Sequence, residues 1–453
     1  MSGTKIKETG YVNTREKISY SLASGGGNVV TTIIGGFLAA YLTDSVGLTA
    51  ASVGTMMLLM RFADIVTDFL MGAIVERTKT RWGKARPWLL VSAILIFVAL
   101  IFEFSTPGNL SMNGKLIYAY ITYFFINCIG FTSFVIPHTA LLSIITFNGV
   151  ERQKIAAMGQ IVNQILGMAV SIFWVPLTVG IGFRNTACVY AILSAIFILV
   201  GFWGTRENIY EDEGHVPIGQ SKESFKASLK VIIRNKYFWI EMAVFSLLLF
   251  HNMAQGAVGY YFSNSVLNNA NLVGLLSVAG MLPALFMNMI VAKLVGKFGK
   301  QKIMVLSAIV ITVTSVLMGL TYINIPLLVV LTIIKGFFLG SMFSCAFALT
   351  GDVIDYGEWE LGVRSEGITI AGFSLGQKLG MGLGPAVATW ILAAGGYDGL
   401  VMVQTEAAKN AIVFSYTWLL AIVGVLLIIL SLLLDLDKYS AQMQHELELK
   451  HRK

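Results

Sequence analysis

Long apolar runs, separated by short polar loops, recur along almost the whole sequence. They lie near 19–43, 50–76, 88–105, 116–143, 155–180, 186–204, 237–263, 271–296, 303–322, 325–350, 368–395 and 410–434, twelve in all. About 20 mostly apolar residues make a helix long enough to cross a bilayer core. Inside lipid every backbone polar group must be bonded within the protein, so only helices and closed barrels can cross. Barrel strands need only about 10 residues, so runs of this length exclude a barrel. Composition agrees: 56% of residues are hydrophobic and 13% charged, against about 45–50% and about 25% in soluble domains. The expected fold class is an all-α membrane protein with twelve transmembrane helices.

The basic residues set the orientation, because Lys and Arg loops stay on the cytoplasmic side. The loops assigned to the outside hold only Lys115, Arg184 and Lys409. Loops assigned to the inside hold Arg77, Lys79, Arg81, Lys84 and Arg86, and then Lys297, Lys300 and Lys302. Both termini are therefore expected in the cytoplasm, with the protein in the cell (inner) membrane. No cleavable leader is visible.

The longest polar connection, 205–236, falls at the centre. Its Lys222, Lys226, Lys230 and Arg234, with Phe225, Leu229 and Val231 between, read as a surface amphipathic helix. The expected domains are a six-helix bundle over 1–204, this middle loop, a second bundle over 237–434, and a tail over 435–453. Two such bundles with a site near the midplane are a known transporter plan. Gly376, Gly380 and Gly384 read as a packing face. Gly25, Gly26 and Gly27 fit either packing or a cavity-lining stretch.

Several chemistries are excluded. No phosphate-binding glycine loop, metal-ligand cluster or nucleophile triad is present, so no enzyme, cofactor or bound metal beyond a transported ion is expected. The basic residues sit in short loops, which gives no nucleic-acid footprint. Cys128, Cys188 and Cys345 lie in apolar runs and read as buried hydrophobes.

Ionisable groups inside a membrane are costly and mark function. The second span carries Arg61, Asp64 and Asp68 on one helix face. Two neighbouring carboxylates at low dielectric repel, and a cation or a proton between them relieves this. The alternative is a structural salt-bridge network. Lys378, in the eleventh span, balances the trio to a formal charge of zero.

Neutral polar groups gather in other spans: Asn28 and Thr32, Asn127, Gln160 and Asn163, His251, and Ser374 and Gln377. Singly, each suits helix–helix hydrogen bonding. Together they suit a polar cavity for a sugar, whose hydroxyls need paired donors and acceptors.

Three stretches then become recognisable: RFADIVTDFLMG (61–72), RTKTRWGKARPW (77–88) and GDVIDYGEWELGVRSEG (351–367), the last leading to GQKLG around Lys378. Together they resemble the glycoside–pentoside–hexuronide:cation symporters, the melibiose permease branch of the major facilitator superfamily, over roughly 15–435. The resemblance implies two six-helix bundles working by alternating access. It implies a sodium, lithium or proton site at Asp64 and Asp68, with Lys378 nearby. It implies cytoplasmic gating charges at Arg152, Asp352, Asp355 and Arg364.

Departures from melibiose permeases fall at sugar positions. Asn28 replaces an acid, Gln160 replaces an arginine, and an acid of the fourth span near Ile129 or Gly130 is missing. That argues against melibiose. The expected function is cation-coupled symport of a pentoside, oligosaccharide or hexuronide by a functional monomer. The rival expectations are symport of an amphipathic solute such as a lysolipid, and a non-transporting sugar sensor.

Overall fold

A computed structural model describes residues 11–208 and 232–451. The surface helix expected between Lys222 and Arg234 lies outside the described residues, save for 232–234. Every regular element among the described residues is helical.

The helices are α1 Thr14–Gly36, α2 Ala50–Arg77, α3 Arg86–Glu103, α4 Met112–Phe124, α5 Thr132–Ile145, α6 Gly149–Gly204 and α7 Lys236–Tyr261. They continue with α8 Leu272–Phe298, α9 Lys300–Thr321, α10 Ile325–Leu361, α11 Glu366–Ala394, α12 Glu406–Val413, α13 Leu419–Leu433 and α14 Ser440–His451. A π-helical segment, Phe125–Phe131, joins α4 to α5 without a break.

Local signals explain the ends. Thr49 caps α2 by accepting from Ser52 N, and Asn148 caps α6 by accepting from Val150 N and Glu151 N. Asn324 caps α10, which ends at Gly362 in the left-handed conformation. Helix α6 is 56 residues long, but Gly182 at φ 80° and ψ 161° breaks it in two. That break falls between the apolar runs 155–180 and 186–204.

Eight helical stretches among the described residues are long and apolar enough to cross a membrane, or nine if Thr14–Gly36 and the bent continuation Leu38–Ser45 count as one. Helices α2 and α11 are outside this set. They are the two that carry Arg61, Asp64, Asp68 and Lys378. The result is a multi-pass, all-helical membrane protein.

Packing divides the chain into two compact units. The first comprises Met1–Glu213, Gly259–Val278 and Thr389–Lys409; the second comprises Gly214–Val258, Ala279–Ala388 and Asn410–Lys453. In the first unit α1 lies against α6. Ser194 Oγ donates to the Gly26 carbonyl at 2.8 Å. Side chains at Gly25 or Gly26 would run into Leu166, Val162 or the Ser194 carbonyl, so this glycine run serves close packing. In the second unit Gly376, Gly380 and Gly384 press on the α7 backbone from Met242 to Ala254, which makes the face they form a packing face as well.

Candidate functional site

In the first unit, Arg61 Nη1 lies 3.6 Å from Asp64 Oδ2 along one face of α2. Asp64 is buried and Asp68 half-buried. The residue that joins the two acids comes from α5. Thr132 Oγ1 lies 3.3 Å from Asp64 Oδ1 and 3.0 Å from Asp68 Oδ1.

The π-helical segment accounts for this placement. Thr132 Oγ1 also lies 3.2 Å from the carbonyl of Asn127, five residues back. A threonine in a regular α-helix bonds the third or fourth carbonyl back. Widening the turn therefore shifts the hydroxyl toward α2, and π segments of this kind recur at functional sites. Cys128 Sγ, inside the same segment, reaches the Met60 carbonyl at 3.7 Å and ties it to α2.

The hydroxyl has one proton to donate and three oxygens within reach. Its lone pairs remain available. Asp64, Asp68 and Thr132 thus present an all-oxygen donor set of the kind hard cations prefer.

A second polar cluster of this unit lies where α1 meets α6. Asn28 Nδ2 donates to the Asn163 carbonyl at 2.7 Å and lies 3.5 Å from Thr32 Oγ1. Thr31 and Thr32 both donate back to the Asn28 carbonyl. Asn163 Oδ1 is buried without a hydrogen-bond partner. Gln160, about one turn earlier on α6, is exposed. Three of the expected sugar residues, Asn28, Thr32 and Asn163, are thus brought together.

The others are placed differently. Asn127 is buried, and its amide donates to the Tyr123 carbonyl at 3.3 Å. In the second unit His251 has no exposed surface. Ser374 is exposed and donates to the Ile370 carbonyl, while Gln377 and Lys378 are half-buried on the same helix.

The expected gating charges are engaged within their own units. In the first, Arg152 donates to the carbonyls of Thr146 and Ser143 at 2.7 and 3.2 Å, closing the end of α5. Its neighbour Glu151 carries the ion pairs, with Lys17 of α1 at 2.5 Å and Lys154 at 2.9 Å. In the second, Asp352 pairs with Lys300 at 2.6 Å. Arg364 binds Asp355, Glu358 and Glu366 at 2.7–2.9 Å. The Glu358 hydrogen bond above all, with those of Glu366 and Asp355, holds the Arg364 guanidinium well above its ordinary range.

A structural anchor belongs to the first unit. Glu207 accepts from the backbone N–H groups of Lys84, Ala85 and Arg86 at 2.8–3.0 Å, at the start of α3. A carboxylate there complements the helix terminus. Gly83, at φ 104°, lies so close to this carboxylate that a Cβ would overlap it. Elsewhere in the same unit Asp44 Oδ1 accepts from Thr43 at 2.7 Å and from Tyr397 at 2.9 Å, and Thr43 is bonded to Tyr261.

The sequence pattern of the family described as MFS/sugar transport protein matches residues 19–438. The chain belongs to that family. It is thus a major facilitator transporter and not an enzyme, and the resemblance to glycoside–pentoside–hexuronide symporters holds. The isoprimeverose transporter of Lactiplantibacillus pentosus is 31% identical, over 96% of this chain and 91% of its own. An Escherichia coli K12 protein named as a glycoside/cation symporter is 29% identical, over 86% of this chain and 85% of its own. Among solved structures, a bacterial homologue of the human lysosomal transporter Spinster superposes with a TM-score of 0.64 at 14% identity, covering 92% of this chain and 94% of that one. That likeness concerns the fold alone.

The family motifs pass over some ionisable residues within spans. Glu103 ends α3 at 1% exposure, Glu241 lies in α7 at 0%, and Lys335 in α10 at 1%. The signal that picks out Asp64, a charge-bearing group in an apolar run, also picks out these three. Thr132 carries no such signal, because threonine is unremarked in a spanning helix.

Proposed function

We propose that this protein is a cation-coupled symporter of a glycoside, working by alternating access. The observation that carries the reading is the triad of Asp64, Asp68 and Thr132, with three oxygens gathered around one point. The bound species is a monovalent cation, sodium, lithium or a proton. Arg61 lies 3.6 Å from Asp64 and offsets part of the negative charge of the site.

The sugar contacts of the first unit are Asn28, Thr32, Gln160 and Asn163; in the second unit Ser374 and Gln377 are the candidates. The open acceptor Asn163 Oδ1 supports a hydroxyl-bearing ligand, since a buried acceptor left unmet costs about 1–3 kcal/mol. Asn127 and His251 have too little surface in this state to meet a solute. The set is neutral, which favours a pentoside or an oligosaccharide over a hexuronide. Isoprimeverose, after the relative at 31% identity, is the first solute to try. Twelve spanning helices, cytoplasmic termini, a place in the cell membrane and a monomeric working unit complete the proposal.

A second reading rests on a mostly apolar cleft of about 540 Å³ in the first unit, lined by Ile172, Pro176, Val179, Asn271, Gly274, Leu275 and Val278. An acyl chain fits such walls, which favours an amphipathic solute. Counterflow in proteoliposomes decides between the two. Exchange of isoprimeverose or a related glycoside, dependent on an added cation, supports the first reading. Exchange of lysolipid with no glycoside exchange replaces it with the second.

A further inference from the structure

Two ionisable side chains in the second unit have no hydrogen-bond partner and almost no exposed surface. His251 of α7 is 0% exposed and Lys335 of α10 is 1% exposed. Both ring nitrogens of His251 and the Nζ of Lys335 are buried without a partner. The two groups lie within electrostatic range of one another. Each stands well inside its helix: Lys335 is about 15 Å from the start of α10 and His251 about 22 Å from the start of α7, at 1.5 Å per residue.

Among the described residues of the second unit, no acid is placed beside them. The one acid of α7, Glu241, is about 15 Å from His251 along the helix axis. The acids of α10 begin at Asp352, about 25 Å beyond Lys335, and that group is paired with Lys300. Helices α8 and α9 carry Lys293, Lys297, Lys300 and Lys302 but no acid, and α13 carries no charge. On α11 the charged groups are Glu366 and Lys378, and the neighbours of Lys378 pack at the level of Met242 and Ser246.

An unpaired ammonium in such a place costs several kcal/mol, and a second positive charge beside it costs more. A neutral amine next to a neutral imidazole avoids both penalties. Such a pair is a proton acceptor sealed by packing. The seal is close: Gly336, next to Lys335, meets the Gly280 backbone of α8, and Gly340 meets that of Ala284. Without side chains at these points the backbones of the two helices meet directly.

We propose that His251 and Lys335 form a proton-binding site inside the second unit, separate from Asp64 and Asp68, that holds at most one proton. The pair is neutral while sealed and takes up its proton when the packing around it opens. This gives transport a response to pH that does not depend on the coupling cation. The site stands whether or not the solute is a glycoside, because its ligand is the proton itself.

The test reads the amine directly. The full-length protein, labelled with nitrogen-15 at the lysine Nζ atoms, is placed in lipid bilayers and its nitrogen spectrum recorded from alkaline to acid pH. One resonance is expected at the position of a neutral amine, converting to the ammonium position as pH falls. Lys335→Met is expected to abolish that one resonance and leave the others in place, which also shows that the variant is folded. His251→Gln is expected to move the midpoint of the conversion. A spectrum with only ammonium signals at every pH overturns the proposal. So does a neutral signal that survives Lys335→Met, or one that never converts. A midpoint unmoved by His251→Gln removes the histidine from the site and overturns the pair.

Discussion

Thr132 Oγ1 lies 3.0 Å from Asp68 Oδ1 and 3.3 Å from Asp64 Oδ1, so a hydroxyl of α5 bridges two acids of α2. If it helps to hold the coupling cation, Thr132→Ala raises the cation concentration for half-maximal counterflow by about 10-fold or more, the equivalent of one charge-assisted hydrogen bond. Thr132→Ser keeps the oxygen and stays near the wild type. Equal cation dependence in Thr132→Ala and the wild type removes the hydroxyl from the site.

The α1–α6 cluster is the proposed sugar contact of the first unit, and it acts separately from the acids. Asn28→Ala deletes the amide that donates to the Asn163 carbonyl. The loss is expected in solute affinity, about 10-fold, with the cation requirement unchanged. Titrating the solute at saturating cation, and then the cation at saturating solute, separates the two effects. A change in the cation curve alone would contradict the assignment.

Arg364 gathers Asp355, Glu358 and Glu366. A lysine offers a compact point charge where the planar guanidinium spreads its donors over two nitrogens, so it does not reproduce the three contacts in the same geometry. Arg364→Lys is expected to slow net uptake by about 10-fold while leaving equilibrium binding of cation and solute in place. Weakened binding with an unchanged rate tells against a gating role.

Glu207 is a stability element. Its carboxylate meets three backbone donors at the start of α3, and its removal leaves them without that acceptor. Glu207→Ala is expected to cost about 1–3 kcal/mol and lower the thermal unfolding midpoint in detergent. Gly83→Ala produces a similar loss from the other side, because a Cβ there overlaps the carboxylate.

The sequence makes the helical class legible, since long apolar runs leave lipid no other solution. It also exposes Asp64, Asp68 and Arg61, because charge in a spanning run is conspicuous. Lys335 is equally conspicuous in kind, yet no family motif surrounds it. Thr132 stays hidden for a different reason. Its role depends on a π-helical turn that moves its hydroxyl onto a neighbouring helix, and side-chain periodicity does not encode that shift. Glu207 is hidden because its three partners lie over a hundred positions earlier in the chain. The amide cluster is intermediate: Asn28 and Gln160 are visible as polar residues in apolar runs, but the contact of Asn28 with Asn163 appears only when α1 lies on α6.

The central claim is that Asp64 and Asp68 bind the cation that drives uptake. The direct measurement is solute accumulation in proteoliposomes under an imposed sodium, lithium or proton gradient, for the wild type, Asp64→Asn and Asp68→Asn. Accumulation is expected in the wild type with at least one of these gradients and in neither variant. Both variants should remain folded, and any solute exchange they retain should no longer depend on added cation. Accumulation at the wild-type level in both variants would contradict it.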